Sequence, residues 1–440
     1  MRSLLIEHNC PQCAGPVTLE ETDRLLVCDF CRARLYFTYG DYFRYYLSPS
    51  SQPLEETVFV PYWRFKGMFF SLEPYQVKKK FLDTSLLASK NNFMPDTLGL
   101  RIQTQKLKFA VRGMKGSFLS PQILMSEVVS QVEQTCNSRE ALGRLANTGL
   151  PVSKIERISH SRDSKKSSKS TFHRAFIGDV TSMIYAPVYM KGSEIYDAIL
   201  DRPITKSTDM IVEGLQSTDN CQNWKINFIS AMCPHCGWDL EGERDSVILF
   251  CKHCDSSWQV TEQGFKRLPF SIVPSKEKNV VYIPFWRMDV MVNGLDACSY
   301  ADLIRLANLP KAIQKEWEEE KLYFWSPAFT TNPKLFLRLT KQMTLFQPSE
   351  ETRGTLDGST LCPVTIPLSE ALESVKIILA NISIPKKKIF PLLPEMDIKS
   401  KSSLLVYFPF VIRGNEFIQN QMKFSIQRNA VRQGIPFAVS

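Results

Sequence analysis

Eight of the twelve cysteines stand in four Cys-x-x-Cys pairs, a spacing that is typical of metal ligands. The pairs form two sets, with 14 residues between the pairs of each set: Cys10, Cys13, Cys28 and Cys31, and Cys233, Cys236, Cys251 and Cys254. A Cys-x-x-Cys turn brings two thiolates to one side of a metal ion, and a short hairpin can return the second pair to complete a tetrahedron. Because four thiolates leave no position open for water, each set is predicted to hold one structural zinc ion.

Other cysteine chemistries fit the pattern less well. A redox-active Cys-x-x-Cys occurs singly between a strand and a helix, not as two matched pairs. Disulfides are disfavoured because a cytoplasmic location is expected, and the cytoplasm is reducing. A rubredoxin-like iron site uses similar turns, usually with a longer separation between them, and is the main alternative to zinc. The four single cysteines have no neighbouring base and are predicted to be small buried residues. They are Cys136, Cys221, Cys298 and Cys362.

The segments between the cysteines favour short strands on either side of an acidic turn, at residues 16–19 and 25–27 and again at 238–240 and 247–250. Each arm is therefore expected to be a β-hairpin. The arrangement resembles the zinc-ribbon superfamily, whose Cys-Pro-x-Cys turns with a following small residue are matched by Ala14-Gly15 and by Gly237. The resemblance covers residues 8–36 and 231–259.

The two halves of the chain repeat each other. A shift of 223 residues places Cys10 on Cys233 and Pro61 on Pro284, and residues 58–64 on residues 281–287 without a gap. Near the end of each half, Pro187 lies over Pro409 at a shift of 222. Weaker matches place residues 100–101 on 337–338. The chain is therefore predicted to be an internal duplication in which the two halves superpose.

The predicted fold class is α+β, with each half a zinc ribbon followed by a strand-rich α+β domain. The expected boundaries are 1–47 for the first ribbon, 48–220 for the first α+β copy, 221–270 for the second ribbon and 271–440 for the second α+β copy. Strands are predicted at 58–70, 182–190, 281–292 and 403–412, where β-branched and aromatic residues alternate. Helical periods occur at 121–147, 299–319 and 367–381.

Proline within the aromatic strands is unusual, because it removes a donor from the strand ladder. Pro61 and Pro284 are therefore expected to mark bends or bulges. Their aromatic neighbours are predicted to pack in the core beside those bends, with an aromatic ligand or peptide groove as the alternative. These neighbours are Tyr62, Trp63, Phe285 and Trp286.

No catalytic pattern occurs outside the cysteine sets. None of the five histidines is placed as a general base: His8, His160, His173, His235 and His253. The chain contains no nucleophile elbow, phosphate-binding glycine loop, dinucleotide-binding fingerprint or paired-carboxylate motif. The sequence therefore predicts no enzyme, no catalytic residue, no cofactor besides zinc and no small-molecule substrate. His235 and His253 lie between ligands and are expected to point to solvent.

Basic residues exceed acidic ones by 54 to 45, a formal charge of +9. Three clusters carry much of this charge: residues 78–80, residues 386–388 and the polar run 160–170. There are two competing interpretations of these clusters: they contact phosphate or anionic lipid, or they are plain solvated segments. The run 160–170 is expected to be a mobile, protease-sensitive loop. The first ribbon, residues 1–47, holds five arginines and six acidic residues, which disfavours nucleic-acid reading by the ribbon.

The longest apolar stretches run about nine residues, whereas a spanning helix needs about 20. No export signal is evident, so a cytoplasmic location is expected. We predict a non-enzymatic zinc-binding scaffold or adaptor with protein partners. The alternatives are a nucleic-acid-associated zinc-ribbon factor and an adaptor at an anionic membrane surface. For the latter, Ile283-Pro284-Phe285 is similar to strands that follow the ribbons of some bacterial proteins tied to envelope stress and to membrane scaffolds.

Overall fold

The structure, a computed structural model, describes residues 3–90, 93–125, 127–128, 171–206, 224–261, 264–295, 297–348, 356 and 360–431. Most of the helix predicted at 121–147, the basic run 160–170, Cys136 and Cys221 lie outside these residues. Strands dominate a mixed α+β architecture. The predicted fold class is confirmed at that level.

The described part of the first half contains strands β1 to β12 and one short helix, α1. In chain order these are β1 Leu5–Asn9, β2 Pro16–Glu20, β3 Leu25–Val27, β4 Arg34–Thr38, β5 Phe43–Tyr46, β6 Val58–Glu73, β7 Gln76–Leu87, α1 Arg101–Thr104, β8 Leu107–Phe109, β9 Ser117–Phe118, β10 His173–Lys191, β11 Glu194–Asp197 and β12 Arg202–Lys206.

The described part of the second half contains strands β13 to β23 and helices α2 to α5. In chain order these are β13 Asn227–Ser230, β14 Ile248–Cys251, β15 Ser256–Thr261, β16 Gly264–Leu268, β17 Phe270–Ile272, β18 Val280–Val292, α2 Tyr300–Ala307, β19 Phe324–Pro327, α3 Pro333–Phe346, β20 Thr360–Leu361, α4 Leu368–Ile382, α5 Lys386–Ile389, β21 Ile398–Arg413, β22 Glu416–Gln419 and β23 Phe424–Gln427.

Each half is built around one long antiparallel pair, β6 with β10 and β18 with β21. Pro61 lies opposite Tyr185 in the first pair, and Pro284 lies opposite Tyr407 in the second. These positions differ by 223 and 222 residues, the same shifts that align the two halves of the sequence. The neighbouring strands recur as well: β7, β9, β11 and β12 surround the first pair as β19, β20, β22 and β23 surround the second.

The irregular position in each long pair also recurs, and it does not coincide with the proline. The register shifts between Gly178 and Val180 in β10, and between Ser400 and Ser402 in β21, the equivalent strand, where these residues face Val290 and Asp289. Pairing runs without interruption through Pro61 and Pro284. The expectation that these prolines mark the bulges is therefore wrong. Although proline donates no backbone hydrogen bond, the carbonyl oxygen of Pro61 accepts one from Ala88, and that of Pro284 accepts one from Ala328.

The aromatic residues beside the prolines are core residues, as predicted. Tyr62, Phe285 and Trp286 are fully buried, and Trp63 is nearly so. Strand β6 is buried on both faces, since one face packs with the hydrophobic cluster around Ile184 and the other with the cluster around Phe118. Continuous apolar runs of this kind are typical of central strands.

The predicted hairpin between residues 16–19 and 25–27 is wrong. β2 pairs with β1 and belongs to a ten-stranded sheet, whereas β3 pairs with β4 in a separate three-stranded sheet. β4 also pairs with β13, which precedes the second cysteine set. Strand pairing thus runs across the boundaries at residues 47 and 220, and the division into four units stays a prediction.

Two of the three predicted helices can be compared with described residues. The helix predicted at 367–381 is confirmed as α4, Leu368–Ile382. The helix predicted at 299–319 ends early, because α2 stops at Asn308 in the left-handed conformation with Pro310 beyond it. Helix α3 was not predicted, although Asn332 at the N-cap and Pro333 at the first helical position are its start signals.

The two halves pack directly against each other. Phe70 of β6 contacts Phe336 of α3, with ring centroids 5.7 Å apart. At the β10 bulge, the N–H of Gly178 donates to Oε2 of Glu370 in α4 over 3.1 Å. Helices of the second half thus cover the strands of the first. Among the described helices, none is long and apolar enough to cross a bilayer.

Candidate metal centres

The first cysteine set is assembled from the turns of two hairpins. Cys10 and Cys13 lie in the turn between β1 and β2, and Cys28 and Cys31 lie in the turn between β3 and β4. In the first turn the N–H of Ala14 donates to the carbonyl oxygen of Cys10 over 2.8 Å. Ala14 adopts a left-handed conformation with φ 58°, which closes the turn tightly.

The second set is built in the same way. The N–H of Gly237 donates to the carbonyl oxygen of Cys233 over 2.9 Å, and Gly237 has φ 74° at the position equivalent to Ala14. The second turn joins β14 to β15, and Asp255 there is left-handed at the position equivalent to Arg32 in the first set. The small residue that follows the first cysteine pair of each set, Ala14 or Gly237, therefore has a conformational role, because it adopts the left-handed conformation that closes the turn.

The eight sulfur atoms form two compact groups. Within each group all four Sγ atoms lie within 4.8 Å of one another. Two sulfur–sulfur distances in each group are 3.7 Å for Cys10 to Cys31, 3.6 Å for Cys13 to Cys28, 3.6 Å for Cys233 to Cys254 and 3.4 Å for Cys236 to Cys251. A tetrahedron with zinc–sulfur bonds of about 2.3 Å has sulfur atoms about 3.8 Å apart. Both groups fit a four-thiolate metal ion of that size.

Backbone N–H groups favour the thiolate form that a metal requires. The N–H of Cys31 is the main cause that lowers the pKa of Cys28, to about 7. Burial raises the pKa of Cys233, but the N–H groups of Cys236 and His235 outweigh burial and bring that pKa to about 6. In each site one thiol is thus favoured as a thiolate before any metal binds. The N–H of Ala33 lowers the pKa of Cys31, but burial and the neighbouring cysteines outweigh it and raise that pKa to about 12, while burial and then Cys236 raise the pKa of Cys251 to about 12.

The second site carries an outer hydrogen-bond chain that the sequence did not predict. The indole N–H of Trp258 donates to Ser256 Oγ over 2.8 Å, and Ser256 Oγ lies 3.0 Å from Cys254 Sγ. Such outer partners orient a ligand and tune the charge on its sulfur. The first site has Ala33 at the position of Ser256, so its ligand turn has no hydroxyl there.

The two sites are joined through one packed cluster. Leu25 and Tyr36 of the first ribbon pack in the same hydrophobic cluster as Cys233 and Cys251 of the second. The N–H of Leu25 also donates to the carbonyl oxygen of Arg244 over 2.9 Å. Because β13, which precedes the second cysteine set, pairs with β4 beside the first set, the two sites share one sheet rather than standing apart.

Each ribbon exposes an aromatic side chain next to its ligand turns. Phe30 is 66% exposed and packs over Gly15, where a Cβ atom would come within 2.7 Å of the ring. Trp238 is 61% exposed and stacks on His253, with centroids 4.9 Å apart and planes 16° apart. Gly15 and Trp238 occupy equivalent positions, as do Phe30 and His253, so both ribbons carry an aromatic group on the same face.

The remaining predicted residues fall in different environments. Cys362 is fully buried, as predicted, and burial raises its pKa. Cys298 is exposed, so the prediction of burial is wrong for it; it directly precedes Ser299, the buried N-cap of α2. His235 and His253 are exposed, as predicted. Burial, followed by Lys376, lowers the pKa of His173 to about 4.

A buried charged cluster in the first half was missed by the sequence analysis. The guanidinium of Arg64 donates to both carboxylate oxygens of Glu21 over 3.0 and 3.1 Å and contacts Asp83 at 2.5 Å. Lys66 Nζ lies 3.3 Å from the same Glu21 carboxylate. The equivalent Arg287 in the second half instead lies over the ring of Tyr323 at 4.7 Å. The only signal in the sequence is that charged residues interrupt the aromatic strand β6.

Comparison with known proteins finds no match to the chain. No protein-family model, no curated protein and no solved structure matches the chain. The zinc-ribbon resemblance therefore extends as far as the two four-cysteine sites and no further.

Proposed function

We propose that the two sites hold zinc in a structural role and that the protein is a non-enzymatic scaffold for other proteins. The observation that carries the metal proposal is the closure of each site by four thiolates at tetrahedral spacing. Zinc prefers this ligand set and geometry, and four sulfur ligands leave no coordination position for a substrate.

The duplication underlies the scaffold proposal. The repeated register of the long strand pairs, the repeated bulge and the repeated ligand turns support an origin from two copies of one unit. Two copies related in this way present related surfaces to partners. The paired ribbon faces around Phe30 and Trp238 are the surfaces that we assign to protein contact, because exposed aromatic residues on a rigid support are typical anchors at interfaces.

The net charge of the ribbons supports a protein partner over nucleic acid. In the first ribbon, six acidic residues oppose five arginines, whereas a surface that binds phosphate backbones carries an excess of Lys and Arg. Around Trp238 the exposed Lys252 is already paired with Glu241.

Quantitative cross-linking in extracts of the native host tests the scaffold proposal. Wild-type protein is compared with Phe30→Ser, Trp238→Ser and the double variant, and with Tyr196→Ser, in β11 and outside both ribbons, as a control. We expect specific partners to cross-link to the wild type and to the control and to be lost in the double variant. Partners that are retained by the double variant, or recovery of nuclease-sensitive material only, would refute the assignment.

A further inference from the structure

Two lysine triplets from opposite halves of the chain meet at one end of the molecule. Residues 78–80 lie on β7 just after the turn that joins it to β6, and residues 386–388 form the short helix α5. The turn residue Tyr75 lies against Phe390, with ring centroids 6.2 Å apart. At about 3.3 Å per strand residue, the triplet on β7 begins about 10 Å from that contact.

The contact is held by several aromatic and cationic groups. Lys387 Nζ lies 6.0 Å from the centre of the Tyr75 ring, and Lys386 Nζ lies 5.9 Å from that of Phe390. Phe172 packs edge-on against Phe390 at 6.0 Å. Since Phe390 is fully buried, the two triplets are fixed to the core of the second half. We call the six lysines and the apolar residues beside them the lysine surface.

Three of these ammonium groups have no ion-pair partner among the described residues. Lys79, Lys387 and Lys388 are exposed, and within the described part of the chain none of them has a carboxylate partner. Lys78 is paired with Glu73. Asp397, farther along the chain, is paired with Lys399 at 3.5 Å. Glu73 and Asp397 therefore have cations of their own.

Large apolar side chains are exposed among these lysines. Tyr75, Ile384 and Leu392 are 48%, 52% and 41% exposed, and the last two flank α5. Exposed apolar residues next to lysines are the composition of surfaces that bind a membrane interface, where lysine stems lie along the apolar region and the ammonium groups reach the headgroups. A nucleic-acid surface instead needs rings that are open for stacking, whereas Tyr75 already packs against Phe390.

We propose that the lysine surface docks the protein on membranes rich in anionic phospholipids. The ammonium groups bind headgroup phosphates and carboxylates, and Tyr75, Ile384 and Leu392 enter the interface between headgroups and acyl chains. The proposal is independent of the metal sites and of the ribbon surfaces, so its failure leaves the scaffold proposal untouched.

Vesicle co-sedimentation of the full chain tests this proposal. We expect binding to vesicles of phosphatidylcholine mixed with phosphatidylserine, little binding to phosphatidylcholine alone, and weaker binding as salt increases. The variant Lys79→Gln/Lys387→Gln/Lys388→Gln should lower the partition coefficient by roughly tenfold or more, because each surface lysine contributes several-fold. These three residues are exposed, so the variant should melt like the wild type.

The variant Lys115→Gln/Lys252→Gln/Lys321→Gln is the matched control. It removes the same charge from lysines that are 69%, 63% and 70% exposed and lie outside the lysine surface. It should bind vesicles within about twofold of the wild type, since three remote lysines contribute little at the surface. Equal losses in both variants would show a general charge effect and overturn the proposal.

A second variant tests the apolar contribution. Ile384→Ser/Leu392→Ser should weaken vesicle binding most at high salt, where the apolar contacts remain after the charges are screened. The membrane assignment would be overturned if the protein bound neither kind of vesicle. It would also be overturned if the three lysines were needed for binding to single-stranded RNA and the protein did not bind vesicles.

Discussion

Trp286 donates its indole N–H to the carbonyl oxygen of Ile366 over 2.9 Å, and the bond is fully buried. Trp63 makes the same bond, of the same length, with Ile123 in the first half. In both halves the accepting residue also donates its own N–H to an alanine carbonyl that lies beside the long strand pair, Ala328 or Ala88. One local arrangement thus ties the strand-pair core to the following segment twice in the chain.

Replacing either tryptophan with phenylalanine should destabilise the protein, because it removes the donor and leaves a carbonyl unpaired. We expect Trp286→Phe to cost about 2–4 kcal/mol and Trp63→Phe about 1–2 kcal/mol, since Ile123 is only partly buried. Urea unfolding measures both values. The exposed Trp238→Phe is the control and should change stability by less than about 0.5 kcal/mol; equal effects at all three positions would contradict the assigned roles.

The sequence predicted the recurrence of these tryptophans but not the bond that they make. The shift of 223 residues aligns Trp63 with Trp286, and both are buried as expected. Their acceptors, Ile123 and Ile366, are aligned only at a shift of 243, because an insertion separates them from the strand. Comparison of the two halves at one constant shift in the sequence finds the repeated strand pairs, because they contain no insertion. It does not find the bonds from the tryptophans to Ile123 and Ile366, because an insertion lies between the partners.

The buried charged cluster leads to a second prediction. Glu21→Gln should destabilise the protein by about 3–5 kcal/mol, because it leaves Arg64 and Lys66 buried without their shared carboxylate. The exposed pair Arg305 and Glu318 provides the control, and Glu318→Gln should cost less than about 1 kcal/mol. Thermal or urea unfolding of both variants compares them, and similar costs would mean that Glu21 does not hold the cluster together.

Asp23 should make stability depend on pH. Burial raises its pKa to about 6, while the N–H of Glu20 and the charge of Arg244 oppose the rise and Glu20 and Asp245 add to it. An unfolded aspartate has a pKa of about 3.9, so between about pH 4 and 6 the folded state binds the extra proton. Its contribution is present below about pH 4 and is lost as the pH rises through 6.

Asp23→Asn tests this dependence, because asparagine can still accept the hydrogen bond from Glu20 and carries no charge. The variant should gain stability relative to the wild type as the pH rises from about 4 to 7, reaching about 1–3 kcal/mol. Unfolding curves at several pH values in this range measure the difference. A difference that does not change with pH would show that Asp23 is charged throughout.

Loss of one metal site should loosen both ribbons. The sequence predicts that Cys10→Ser and Cys233→Ser each unfold mainly their own ribbon, because metal binding energy is folding energy. The shared cluster of Leu25, Tyr36, Cys233 and Cys251 leads us to expect that Cys233→Ser also destabilises β3 and β4.

Hydrogen exchange across both ribbons measures this coupling. Cys233→Ser should raise exchange in β3 and β4 as well as in β14 and β15, while Cys298→Ser, at an exposed cysteine outside both sites, should leave exchange unchanged. Increased exchange confined to β14 and β15 would show that the ribbons are independent.

The two four-cysteine groups were the most predictable part of the molecule, because a Cys-x-x-Cys turn is a local structure whose geometry follows from four residues. Their surroundings were less predictable. β2 and β3 are correctly placed strands, yet they lie in different sheets, since the choice of partner depends on β1 and β4. Asn308 signals the early end of α2, and Asn332-Pro333 signals the start of α3. A prediction made from the period of the apolar residues alone does not take these short-range signals into account.

Elemental analysis of the purified full chain tests the central claim most directly. We predict two equivalents of zinc per chain and no iron, with Cys10→Ser and Cys233→Ser each retaining one equivalent and Cys298→Ser retaining two. Fewer than two equivalents of zinc in protein prepared without chelators, or iron in place of zinc, would contradict the account.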